Sequence, residues 1–234
     1  MANPRWTRRA VLTGDIINSS RLSPEALGAV RRTLAETVDS FHALWPDVII
    51  GELDFFRGNS WQLLLADPKQ SLRLAVLLRS KLRAVLQVDT RIAIGIGYTS
   101  NIEHSKISLS TGEAFTVSGR ALDEMGTYFQ LTGATAEGLG AIEDWVPLTF
   151  QLCGAIMRNW TRRQSEIVAQ ALVMKQPEHE EIANALIPPV AKQTVSKALQ
   201  AANWRALTSA LKAFERADWN AIFMVENKQP SSAV

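Results

Sequence analysis

Asp15 closes an apolar run in RRAVLTGDIINSS, residues 8–20. A carboxylate at the end of such a run can hold a hard cation, or can cap the following loop as an Asx-turn. Asn59 follows Gly58 in ELDFFRGNSWQLLLA, residues 52–66, between two strand-like runs. Its amide oxygen can also ligate a cation but brings no charge, and Gly-Asn is equally ordinary turn chemistry. Thr116 and Arg120 lie four apart in GEAFTVSGRALDEM, residues 112–125. A helix puts both on one face, where Arg120 can pair with Asp123 or Glu124 at a solvated surface. A third polar set lies in AKQTVSKAL, residues 191–199. Lys192, Gln193, Thr194, Ser196 and Lys197 there have the chemistry that meets phosphates and base edges.

The elements that must carry the first two sets alternate. Ala10–Gly14 reads as a buried strand. Ser23-Pro24-Glu25 opens a helix, with Ser as N-cap, Pro in the first turn and an acid at the positive end. Leu27, Val30, Leu34, Val38, Phe41 and Trp45 give it one apolar face, and Trp45-Pro46-Asp47 ends it. Val48–Phe56 and Ser60–Ala66 flank Arg57-Gly58-Asn59 as a hairpin. Asp67-Pro68 starts a second helix whose buried stripe is Leu72, Ala75, Val76, Leu82 and Leu86. Arg91–Tyr98 alternates, with isoleucines on one face and Ala93, Gly95 and Gly97 on the other. So bare a face admits a closely packed helix or some other close approach to the backbone. A third helix near 114–127 and a strand near Gln130–Ala134 complete the order β-α-β-β-α-β with a further helix and strand.

The rest reads as helical. Thr161 and Gln164 form a capping box ahead of Ile167, Val168, Ala171 and Leu172. Pro177 precedes a short helix at Glu180–Leu186. The turn Ile187-Pro188-Pro189-Val190 follows, then a second helix at Ala191–Leu199. Ile182, Ala183 and Leu186 face Val195 and Leu199, which leaves the polar set outside. One last helix runs from Trp204 to Phe223, and Lys228–Val234 reads as a frayed tail.

Composition narrows the classes without choosing among them. The chain has 234 residues and a formal net charge of +2. Residues 1–149 carry 15 basic and 16 acidic side chains, and residues 150–234 carry 10 and 7, a mild basic shift that permits a nucleic-acid partner. Cys153 is the sole cysteine, so an intrachain disulfide and a cysteine metal cluster are both excluded. It reads as a small buried apolar residue. No run is long and apolar enough for a membrane span, and the basic start holds Asp15 too early for a secretory signal. A cytoplasmic location is expected.

The first half resembles class III nucleotidyl cyclases. That resemblance implies a ferredoxin-like βαββαβ domain, here residues 1–148, with Mg or Mn and a nucleotide as cofactor and ligand. It makes Asp15 and Asn59 the metal positions, with Asn59 where the family has a second aspartate. Ile16 would meet metal or phosphate through its backbone, and Phe55 would occupy the base-selecting position. Arg120 would stabilise phosphate charge, and Thr116 stands where the family has a ribose-orienting asparagine. The resemblance also implies a homodimer with shared sites. The second half, residues 149–225, resembles the helix-turn-helix of response-regulator and sigma-factor domains, with residues 226–234 as tail. Thr13–Ser19 and the overall arrangement over residues 8–200 resemble the SatD family. The expected fold class is therefore α+β followed by an all-α helix-turn-helix domain. The expected function is a DNA-binding regulator with a degenerate cyclase-like sensor or dimerisation domain. Its alternatives are an active nucleotide-binding enzyme of the cyclase type, and a protein-interaction module that binds no DNA.

Overall fold

A computed structural model describes residues 8–174 and 177–224. Strand β1 (Arg9–Ile16) is followed by α1 (Pro24–Leu44), the hairpin β2 (Ile49–Phe56) and β3 (Ser60–Leu65), α2 (Ser71–Leu86), β4 (Thr90–Gly97), α3 (Glu113–Glu124) and β5 (Leu131–Thr135). The sheet order is β2-β3-β1-β4-β5. The first four strands pair antiparallel, and β5 joins β4 in parallel through α3. This is the split βαβ arrangement with one strand added.

The local signals explain the ends of elements. The Ser23 side chain accepts from the Ala26 amide at 3.2 Å and starts α1. Asp67 caps not α2 itself but a 3-10 turn at Pro68–Gln70, and α2 begins one turn later than the cap signal implies. A bulge between Ile50 and Asp54 shifts the β2–β3 register around Gly51, whose φ is +68°. A Cβ at Gly51 would lie 2.5 Å from the His104 carbonyl, so the bulge seats β2 against the loop before α3.

The two faces of the sheet carry different chemistry. Ala10, Leu12, Ile16, Trp61, Leu63, Leu65, Ile92, Ile94 and Ile96 face α1 and α2. The opposite face lies under α3: Val11 and Leu64 meet Ala114 and Phe115 of the helix in an apolar patch, and Thr13 and Gln62 meet Ser118 of the helix in a polar one. The Thr13 hydroxyl lies 2.8 Å from that of Ser118 and accepts from Gln62 at 2.9 Å. The bare face of β4 is covered by a helix: Cβ atoms at Gly95 would stand 2.2 Å from the Ala114 carbonyl and 2.6 Å from the Ser118 amide.

The chain continues as α4 (Ala141–Arg158), α5 (Arg162–Leu172), α6 (His179–Ala185), α7 (Lys192–Ala201), α8 (Trp204–Arg216) and α9 (Trp219–Met224). The boundary expected at 148/149 falls inside α4. Val146, Phe150, Cys153 and Met157 keep one buried face running through that point, against β5. The single helix expected from Trp204 to Phe223 is two. Ala217 is extended, and Asp218 caps the next turn by accepting from the Ala221 amide at 3.0 Å. The tail expected at 226–234 lies outside the described residues.

One buried cluster runs from Ala10 to Phe223 and joins the sheet to these helices. α2 lies in its middle. Besides its expected stripe, Leu74, Leu77, Leu78, Arg79 and Ser80 are buried, because α5 covers the side that an amphipathic reading assigns to water. Arg73 of α2 donates to Glu215 of α8 at 2.6 Å and to the Leu172 carbonyl at 3.2 Å, tying the halves with charge as well as apolar area. No helix among the described residues is long and apolar enough to cross a membrane.

Candidate functional site

β1 brings Asp15 to the polar end of the face under α3, with its side chain 18% exposed. Its register partners are Ser60 on β3 and Arg91 on β4. The Ile16 amide donates to the Asn59 carbonyl at 3.1 Å, so the hairpin turn lies against the end of β1. Arg31 of α1 holds that turn from outside, donating to the Gly58 carbonyl at 2.5 Å. The spatial neighbourhood of Asp15, Ile16 and Asn59 is therefore present. The Ile16 amide is occupied, however, and its side chain is core, 3% exposed.

Both oxygens of Asp15 are engaged by Arg91. Nε donates to Oδ1 at 3.0 Å, and Nη2 donates to Oδ2 in a shorter contact. Arg91 Nη1 donates to the Met125 carbonyl at 3.1 Å, which anchors the guanidinium to the end of α3. The Asp15 hydrogen bond, opposed by burial and assisted by the charges of Asp15 and Asp123, holds the Arg91 pKa above its ordinary value. A planar fork on a carboxylate is strong and directional, and an arginine cannot leave by deprotonation. The position where a divalent cation would meet this carboxylate is filled by a fixed monovalent one.

The remaining candidates do not converge on Asp15. Phe55 is opposite Trp61 in the hairpin register and packs on the α1–α2 side, the other face of the sheet. Its ring lies 5.6 Å from the Arg31 guanidinium. The period of two that exposes Asp54 on the Asp15 face sends Phe55 away from it. Asp54 itself accepts from the Ser108 amide at 2.9 Å, so it holds a loop and is not spare for a cation. Thr116 and Arg120 share the exposed face of α3, as their spacing requires. Thr116 donates to the Gly112 carbonyl at 3.3 Å, and Arg120 pairs with Glu137 at 3.9 Å rather than with Asp123 or Glu124. Among the described residues no group of three or more His, Cys, Asp or Glu side chains is gathered as a metal site. The residues around Asp15 do not fit a two-cation centre, since one carboxylate is neutralised and the other position is an amide.

Arg91 carries a signal in the sequence that no motif singles out. It is the one charged residue on the small-residue face of its strand. A second pair, without such a signal, joins Arg79, wholly buried on α2, to Asp89: Nε donates to Oδ1 at 2.9 Å and Nη2 to Oδ2 at 2.6 Å.

On the helical side, α7 presents Lys192, Gln193, Thr194, Ser196 and Lys197 to solvent, while Val195 and Leu199 are buried. α6 packs on α7 and both pack on α5. Val190 returns across the turn, its amide donating to the Ala183 carbonyl at 3.1 Å. Lys192 lies 3.9 Å from Glu180 in an exposed pair.

No family model matches the chain, and no curated protein matches it. Among solved structures, the chain is similar to the guanylyl cyclase Cya2 (18% identity, 54% of this chain and 74% of that one, TM-score 0.40). It is similar to a bacterial light-regulated adenylyl cyclase (16% identity, 52% and 42%, TM-score 0.38). It is also similar to the dimeric guanylyl cyclase domain of the RhoGC fusion protein from the aquatic fungus Blastocladiella emersonii (14% identity, 56% and 80%, TM-score 0.41). At this depth the overlaps assign no chemistry, which has to come from the side chains of this chain.

Proposed function

We propose that this protein is a DNA-binding regulator in which a cyclase-like sheet has lost cation-dependent nucleotide chemistry and serves as a sensing or pairing module. The Asp15–Arg91 fork is the observation that carries the reading. A cyclisation site needs cations to lower the charge of a triphosphate and to ionise a ribose hydroxyl. Here the carboxylate that would hold one is already paired at both oxygens, and Asn59 adds no charge. The outward set on α7 supports the DNA half of the reading, because a helix entering the major groove presents polar residues near its start while its apolar face packs inward. The resemblance of the whole arrangement to the SatD family belongs to the same reading.

A homodimer fits this role, since two copies would offer two α7 helices to two half-sites. Thr116 and Arg120 lie on an outward face of α3 and are available to a second copy.

Two measurements test the proposal. Purified protein with ATP or GTP and Mg or Mn gives no cyclic nucleotide; turnover that disappears in Asp15→Ala overturns the reading in favour of an active cyclase. Labelled genomic fragments bind the wild type at low salt, and Thr194→Glu with Ser196→Glu abolishes that binding while the melting temperature holds. A wild type that retains no fragment makes the protein an interaction module instead.

A further inference from the structure

A cavity of about 520 Å³ opens where the sheet meets the helices, on the end of the molecule that holds the Asp15 edge. Its walls come from Ile17 and Asp89 at the strand ends, Arg83 of α2, Gln130 before β5, Arg158 at the end of α4 and Arg162 at the start of α5. Its single acid, Asp89, is already forked by the buried Arg79.

The three lining guanidiniums find mostly neutral partners. Arg83 donates to the carbonyls of Met157 at 2.7 Å, Arg158 at 3.0 Å and Trp160 at 2.8 Å, and reaches Asp89 only at 3.6 Å. That is a structural role, closing the last turn of α4. It does not account for the other two. Arg158 donates through Nη2 to the Tyr128 carbonyl at 2.5 Å and stacks 3.6 Å from the Tyr128 ring centroid, both neutral partners, and its Nε is buried with no hydrogen-bond partner. Arg162 uses Nε on the Ala84 carbonyl at 2.7 Å and, among the described residues, no other hydrogen bond of it is seen. Of the arginines here only Arg79, behind the wall, and Arg83 reach Asp89, which leaves Arg158 and Arg162 without an acid. Burial, together with the Arg79 charge, lowers the Arg83 pKa against the pull of Asp89, as expected where positive charge is crowded out of water. Carbonyl dipoles orient such groups but do not neutralise them. A multiply charged oxyanion does both, and planar guanidiniums match its oxygens in pairs.

We infer that the cavity between Arg83, Arg158 and Arg162 binds the phosphate group of a small phosphorylated ligand, without a divalent cation. The site is separate from the Asp15–Arg91 fork and stands whether or not the DNA-binding reading holds. Its ligand would touch α2, α4 and α5 together, three helices that already share one core.

Titration calorimetry and thermal shift on the full chain, in chelator and low salt, test this with inorganic phosphate, pyrophosphate, ATP and GTP. At least one binds and raises the melting temperature. Arg162→Ala weakens that binding by about tenfold or more, the loss of one charge-assisted contact pair. Gln130→Glu does the same by placing an acid in the cavity, and it removes no arginine contact, so it serves if Arg162→Ala folds poorly. Equal binding of pyrophosphate and the nucleotides assigns the site to the phosphate group alone. Tighter binding of a nucleotide adds contacts from its base or ribose. The inference fails if none of the four ligands binds at millimolar concentration, or if both variants bind within twofold of wild type. It fails too if Arg91→Ala, and not Arg162→Ala, removes binding.

Discussion

Asp15 and Arg91 face each other across the antiparallel register of β1 and β4 and close a two-bond fork. Both are partly buried, so neither side is fully repaid by water if its partner is removed. A double-mutant cycle with Asp15→Ala and Arg91→Ala should return a coupling of about 1–3 kcal/mol in denaturant unfolding. The same fork should oppose cation binding at Asp15. Asn59→Asp alone should add little Mn binding, while Asn59→Asp with Arg91→Ala should add much more. Equal Mn affinity in the two would show that Arg91 does not stand in the way of a cation.

The close packing of α3 on β4 gives a sharp contrast between two glycines. Gly95→Ala drives a methyl into the Ala114 carbonyl and the Ser118 amide, both backbone atoms that cannot turn aside. About 1–3 kcal/mol or more of stability should be lost. Gly119→Ala lies inside α3 with nothing near its Cβ, and should stabilise by about 0.5–1 kcal/mol through helix propensity. Denaturant midpoints of the two variants check both. If Gly95→Ala is tolerated, α3 does not sit on that face.

These glycines also show what could be read in advance. The alternation from Arg91 to Tyr98 announced a bare face, and Ser23, Thr161 and Gln164 announced helix starts, because each signal lies within a few residues of what it controls. Arg79 and Arg91 could not be placed that way. Their roles depend on Asp89 and Asp15, and on which later helix covers α2 or ends beside β4. The same limit hid the continuity of α4 through residue 148, since its buried face is defined by β5 and not by its own start. Asp218 is legible as a cap, but the apolar spacing on both sides of it suggests one unbroken helix. Strand alternation puts Phe55 on the face away from Asp15, which the cyclase resemblance alone does not reveal.

Glu113 offers a pH test of the packing near the start of α3. Its carboxylate accepts from the Tyr98 amide at 3.0 Å, and burial raises its pKa, opposed by the charge of Arg8. An acid whose folded pKa is raised binds more protons in the native state than in the unfolded one through the window between the two values. Stability therefore falls as pH rises from the ordinary carboxylate range through the raised value. Glu113→Gln keeps an acceptor for Tyr98 and should flatten that part of the stability–pH curve. A variant curve parallel to wild type through this window would remove burial of Glu113 as the cause.

Two roles on α7 are separable by their dependence on salt. Lys192 and Lys197 are point charges on an exposed face, and the Lys192–Glu180 pair at 3.9 Å is too exposed to hold the lysine back. If they contact phosphates, Lys192→Ala with Lys197→Ala weakens binding to every DNA fragment. It also reduces the slope of log affinity against log salt by about one unit for each lost contact. Gln193 is exposed beside them and carries both a donor and an acceptor, as a base edge requires. Gln193→Ala should leave the salt slope unchanged and narrow the gap between preferred and random fragments. The two effects are separable in one salt titration with both fragment sets. A Gln193→Ala variant that changes the slope while keeping full preference would place that residue on the phosphate backbone and leave base reading to its neighbours.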